Sequence, residues 1–133
     1  MTGMDVLRRC RGYEEDMARL RLRLRCARDA VTRITRSTDA TGHGTDGDKM
    51  AEYAARIDEI EREIREREAA YIADVETAAR LVAQLPPDQG SVMHMRMVLG
   101  MTVRQTAAHM RQTESAVRGL YRRGREALEG KEV

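Results

Sequence analysis

The 133-residue sequence has no tryptophan and no phenylalanine, and its aromatic side chains are four tyrosines, Tyr13, Tyr53, Tyr71 and Tyr121. Modules that read single-stranded nucleic acid stack bases on aromatic rings, so this scarcity argues against such a role. The two cysteines, Cys10 and Cys26, would lie roughly 24 Å apart on one helix at ~1.5 Å per residue, too far for an intrachain disulfide, and they read as packed thiols. No window approaches the ~18 apolar residues of a membrane span, and no basic-then-apolar leader opens the chain. The expected location is the cytoplasm.

Chemistry-bearing clusters are equally sparse. His43, His94 and His109 are scattered, with neither cysteine at ligand spacing, so no metal site is expected. "TGHGTDGDK" lacks the Lys-Ser/Thr pair and the preceding strand of a phosphate loop. No Ser-His-Asp set or carboxylate pair stands out, and the expectation is a protein that is no enzyme and uses no cofactor.

What the chain does have is 41% hydrophobic and 35% charged residues, which points to a soluble, all-α protein. The net charge of +2 hides blocks: ten Arg against five acids in 5–36, six bases against nine acids in 49–85, and eight against five in 86–133. Such asymmetry suggests facing elements of complementary charge or a surface for an anionic partner.

"ARLRLRLRCAR" (18–28) alternates like a half-buried strand. A wider window removes that reading. Val6, Cys10, Tyr13, Met17, Leu20, Leu24, Ala27, Val31 and Ile34 step alternately by four and three, a coiled-coil seam with Leu22 off it. The helix should end near 34–37, before the Gly-, Thr- and Asp-rich connector 37–48, with Asp48 capping the next. Met50, Tyr53, Ile57, Ile60 and Ile64, then Tyr71, Val75, Ala78, Val82 and Leu85, continue the spacing, with a stutter after Arg67. Two such helices joined by a short polar loop should form a long antiparallel helical hairpin over 1–85, the arginine-rich helix against the glutamate-rich one. Periodicity leaves open whether the seam pairs within one chain or between chains, so a homodimer or other homo-oligomer is expected.

Residues 86–133 read as a separate domain. Pro86 and Pro87 break the second helix and suit a new start at 87–89; Gly100 ends that helix. Thr102 is placed to cap a short helix over 103–110, and Thr113 a third over 114–128. Short helix, tight turn and longer basic helix is the helix-turn-helix pattern. Val92, Met95, Leu99, Met101, Ala107, Met110, Val117, Leu120 and Leu128 form the candidate core, and Met93, Met95 and Met97 read as soft core filling. About 45 residues is a marginal size for an independent core, so support from the hairpin or a partner is expected. Arg118, Arg122 and Arg125 share one face of the third helix, with Arg123 beside it, as contact with a duplex groove requires.

The segment 85–130 resembles region 4 of the sigma-70 family through Leu85-Pro86-Pro87, Gln89, Val92, Met95, Arg96, Gly100-Met101-Thr102, Ala107, Met110, Thr113-Glu114, Val117-Arg118, Arg123 and Leu128. The resemblance implies promoter-type double-stranded DNA as ligand and RNA polymerase as a second partner. It places Glu114, Ser115, Arg118 and Gly119 toward base edges. Thr106 stands where the family has an aliphatic core residue, and Arg111 where many members have a turn glycine. The whole layout resembles small phage and prophage late-gene activators of the RinA and ArpU kind, acting in a bacterial host.

The sequence therefore predicts a sequence-specific duplex-DNA-binding regulator of transcription. Arg118 and Arg122 are expected to contact bases or phosphates, Thr113 to cap and approach a phosphate, and Arg104, Arg111, Arg123 and Arg125 to contact the backbone. A small terminase-like packaging protein and a structural coiled-coil adaptor are the alternative readings. No membrane partner is expected.

Overall fold

The computed structural model describes residues 1–41 and 45–133, with side chains described outside 37–46. Two 39-residue helices, α1 (Gly3–Thr41) and α2 (Thr45–Ala83), precede α3 (Pro87–Met93), a π turn (His94–Val98), α4 (Val103–Met110) and α5 (Glu114–Glu129). The expected all-α class is observed, and among the described residues the one β-type pairing is an isolated bridge between Thr2 and Glu132.

The long helices outrun their expected ends. α1 continues to Thr41 and α2 begins at Thr45, so 37–41 and 45–48 are helical where a connector over 37–48 was expected, and Asp48 lies inside α2 rather than capping it. Each residue added to an existing helix gains a backbone hydrogen bond without a new nucleation cost, which lets weak helix formers extend a long one. The rest of that connector, residues 42–44 with His43, lies outside the described residues.

The contacts divide the chain into two compact units. One is Glu14–Ala69, and the other joins Met1–Tyr13 to Ala70–Val133. This division does not follow the expected boundary between 85 and 86.

In Glu14–Ala69, α1 and α2 pair antiparallel within the chain. Arg23 donates to Glu63 at 2.9 Å, Arg28 to Glu61 at 3.0 Å and Arg67 to Asp16 at 3.1 Å. Exposed pairs of this kind contribute little energy but fix direction and register. Met17, Ala27 and Ile60 are buried on the seam, whereas Leu22 is 50% exposed, as its off-seam position requires. Arg67, at the stutter, occupies a seam position and is 18% exposed, with its guanidinium turned to Asp16.

In the other unit α1 and α2 also pair antiparallel, with Tyr13 and Tyr71 stacked at 3.9 Å and Arg9 bidentate on the buried Asp74 at 2.8 and 3.0 Å. Thr2 and Asp5 open α1 with a reciprocal cap: the Thr2 hydroxyl accepts from the Asp5 N–H at 3.2 Å, and the Asp5 carboxylate from the Thr2 N–H at 2.8 Å. The core of this unit explains why the first thirteen residues belong to it. Met4, Val6, Leu7 and Cys10 of α1 and Ala78, Leu81 and Leu85 from the end of α2 share one buried cluster with Met93, Met97 and Leu128. Met4, Leu7 and Leu81 lie off the seam, and they are buried because the C-terminal helices supply a third layer there.

Candidate nucleic-acid interface

Each piece of the C-terminal domain is set by a local feature of its sequence. Pro87 begins α3, whose Gly90 N–H donates to the Pro86 carbonyl at 2.9 Å. A Cβ at Gly90 would stand 2.6 Å from the Val82 carbonyl oxygen, so a glycine is required for α3 to cross the end of α2. In the π turn the Leu99 N–H donates five residues back to the His94 carbonyl at 3.0 Å. That extra residue per turn rotates the side chains beyond it about the helix axis. Met97 fills the core at 3% exposure, while Leu99, expected in the core, points outward at 59% exposed.

Gly100 reverses the chain at φ +70. Thr102 and Gln105 then start α4 with a full capping box, the Thr102 hydroxyl accepting at 3.1 Å and the Gln105 side chain accepting from the Thr102 N–H at 2.9 Å. Thr106 is fully buried, and its hydroxyl donates to the Thr102 carbonyl at 2.8 Å. The polar atom is satisfied within its own helix, so a threonine serves at a position where an aliphatic residue was expected.

Val92, Ala107 and Val117 form a second buried cluster, with Val103, Met110, Leu120 and Tyr121 packed on it. It holds α3, α4 and α5 together. α4 ends at Arg111, whose φ of 57 and ψ of 43 put it in the left-handed region. It is the only non-glycine residue with positive φ among those described. Such a conformation costs a residue bearing a Cβ roughly 1–2 kcal/mol, which a glycine avoids. Thr113 then caps α5, its hydroxyl accepting from the Ala116 N–H at 3.1 Å.

The residues expected at the interface fall on α4, the turn and α5. Arg104, Arg111, Glu114, Ser115, Arg118, Arg122, Arg123 and Arg125 are all exposed, as is Thr113, and Gly119 is half-buried. Val117, Gly124 and Leu128 mark the buried side of α5. Arg118, Arg122 and Arg125 flank that side on one edge of the helix, and Arg123 falls on the other. Arg125 stands 4.0 Å from Glu129. Arg104, Arg111, Arg118, Arg122 and Arg123 have no carboxylate partner among the described residues.

Two further cations lie beside Tyr121 and Met97. The Arg96 guanidinium lies 5.8 Å over the ring of Tyr121 on α5 and donates to the Met101 carbonyl, leaving its buried Nε without a partner. Arg11 donates to the Met97 sulfur at 3.8 Å. Burial first, and the nearby positive charge of Arg11 second, hold Arg96 below the ordinary arginine value. Arg8 reaches Glu129 at 3.0 Å and ties α1 to the end of α5. Arg11 stands far from the motif in sequence, and no periodicity could have placed it there. Arg96 belongs to the sigma-like pattern, yet only the packing shows that its guanidinium lies over Tyr121 of α5.

Residues 76–128 match the family model described as Sigma-70, region 4. The C-terminal domain is similar to that family. The match takes in the last turns of α2, all of α3 and α4, and α5 as far as Leu128. Its start at Glu76 agrees with the packing, because Ala78, Leu81 and Leu85 are core residues of this unit. The sigma-70 region 4 similarity makes the segment a helix-turn-helix of regulatory type and connects it with DNA binding in transcription. No curated protein and no solved structure matches the chain. Among the described residues no three His, Cys, Asp or Glu side chains are grouped to hold a metal ion, and no helix is long and apolar enough to cross a membrane.

The strained turn gives a prediction with two readouts. Arg111→Gly removes the left-handed penalty of about 1–2 kcal/mol but adds about 0.5–1 kcal/mol of unfolded-chain entropy. Thermal stability should therefore hold or rise by up to about 1.5 kcal/mol, while duplex affinity falls. Unchanged affinity in a binding titration would leave the arginine at this turn without a functional reason.

Proposed function

We propose that the protein is a non-enzymatic, sequence-specific double-stranded-DNA-binding regulator of transcription, with α5 entering the major groove. The supporting observation is the clustering of arginines on the helix-turn-helix. In Glu14–Ala69, Arg19, Arg23, Arg28, Arg56 and Arg67 are held by carboxylates, and the remaining arginines are spread along two long helices. Around the capped α5, Arg104, Arg111, Arg118, Arg122 and Arg123 gather on two short helices and their turn, exposed and without a carboxylate partner among the described residues. Cations left uncompensated on a helix-turn-helix suit a polyanion.

In this reading Arg118 and Arg122 reach base edges or phosphates, Glu114 and Ser115 face the groove, and Thr113, Arg104, Arg111, Arg123 and Arg125 hold the backbone. The layout of a long helical pair before a sigma-like domain supports a phage-type late-gene regulator, with RNA polymerase as its protein partner.

The test is binding of the full-length protein to a generic duplex across a salt series. Each displaced phosphate contact contributes ~0.9 to the slope of log K against log salt, so the five uncompensated arginines correspond to a slope of about −4 to −5. Absence of binding at low salt would remove the proposal and make the C-terminal domain a protein-binding bundle.

A further inference from the structure

Within Glu14–Ala69 the antiparallel pair has only two layers of side chains. Leu20, Leu24, Val31, Ile34, Tyr53, Ile57 and Ile64 remain only partly buried on the seam. On one side of the pair runs a groove floored by Ala27, Ala30, Tyr53 and Ile60, with Cys26 on its α1 edge and Glu59 on its α2 edge. Residues two helical turns away stand in the same column as these edges. The α1 edge is thereby extended by Arg19 and Arg33, and the α2 edge by Glu52 and Glu66, all four exposed, with Arg19 also reaching Glu15 and Asp16 and Glu52 reaching Arg56 on their own helices. With Arg23 the α1 rim is basic, and the α2 rim is acidic on balance, three glutamates against Arg56.

We propose that this groove binds a second copy of the chain, the two copies related by a two-fold axis parallel to the long helices, so that α1 of each lies on α2 of the other. The register of the pair carries the argument. Arg23–Glu63 and Arg67–Asp16 set which residues of the two helices stand at one level. By that register Arg19 is level with Glu66, and Arg33 with Glu52. A two-fold axis along the helices keeps every level, so Arg19 meets Glu66 of the second copy and Arg33 meets its Glu52. The other face-to-face two-fold axis, across the helices, stacks α1 on α1 and brings Arg19 onto Arg33 and Glu52 onto Glu66. Like charges juxtaposed at an interface are costly, and this selects the first arrangement.

The area is adequate. Two helices side by side span about 20 Å, and residues 14–36 of α1 rise about 35 Å, which offers roughly 700 Å² on each copy, within the range of specific interfaces. The product is a four-helix bundle in which the seam residues gain the third and fourth layers that one chain lacks.

The inference concerns Glu14–Ala69 alone and is tested without DNA, so it stands or falls separately from the functional reading. Sedimentation equilibrium of the full-length protein at micromolar concentration should give a dimer whose association weakens between 50 and 500 mM salt. Glu52→Arg with Glu66→Arg should weaken association at least tenfold, and Arg19→Glu with Arg33→Glu likewise. Combining all four reversals should restore it to within about threefold of the parent. Circular dichroism checks helicity; if a reversal unfolds the pair, Glu52→Gln with Glu66→Gln replaces it and should weaken association several-fold. A monomer, a ring of eight or more subunits, salt-insensitive association, unweakened glutamine variants, or no rescue by the combined reversals would each overturn the proposal.

Discussion

Replacing Arg118 and Arg122 together by alanine is expected to lower duplex affinity by roughly 100-fold or more at moderate salt. Each arginine at a base edge or phosphate contributes about 1–3 kcal/mol, and 1.4 kcal/mol is tenfold in affinity. Both side chains are exposed and neither has an ion-pair partner among the described residues, so their removal leaves the fold intact. The salt slope should shrink by up to about 2 if both contact phosphates, since each contributes ~0.9. If one reads a base instead, the slope changes less while preference among duplex sequences relaxes. Fluorescence anisotropy at several salt concentrations, with melting curves beside it, separates these outcomes. Parent-like affinity would remove α5 from the DNA interface.

The second large effect concerns folding. Residues 86–133 expressed alone should not form a cooperative domain, because Met4, Val6, Leu7, Cys10, Ala78, Leu81 and Leu85 supply most of the buried cluster around Met93, Met97 and Leu128. Without them those three apolar side chains face water in a segment already at the marginal size for a core. The same dependence is measurable in the intact chain. Leu7 is fully buried, and Leu7→Ala should destabilise the unit by about 2–5 kcal/mol. Leu22→Ala, on a side chain 50% exposed, serves as the control and should change stability by less than about 0.5 kcal/mol. Thermal melts read by circular dichroism, paired with duplex titration, decide the point. A folded, DNA-competent 86–133 fragment would show that the ends of the long helices merely cover a self-sufficient domain.

The parts of the fold legible in the sequence are those written in short-range patterns. All nine seam positions from Val6 to Ile34 are buried or half-buried, since a period maintained over so many turns leaves one face to bury. Thr102, Thr113, Pro87 and Gly100 mark helix ends because capping and breaking act over three or four residues. What was not legible depends on residues distant in sequence. Leu7 and Leu81 are off the seam and gain their burial from α3 and α5. Leu99 was misplaced because the π turn changes the helical phase, and no residue between His94 and Val98 announces such a turn. For the candidate site, the exposed arginines of α5 were readable from helical spacing, whereas Arg96 beside Tyr121 and Arg11 beside Met97 come together through packing alone.

The shared core also sets an order of events during synthesis. Arg8 and Glu129 meet across 121 positions, and the cluster that holds Leu7 also holds Leu128. Contacts of such separation cannot form until both segments have been made, and closing so long a loop is slow relative to local helix pairing. The pairing within Glu14–Ala69 can complete while translation continues. The helix-turn-helix unit is thus completed only after α5 has been made, and a chain terminated before α5 carries a formed helical pair without it.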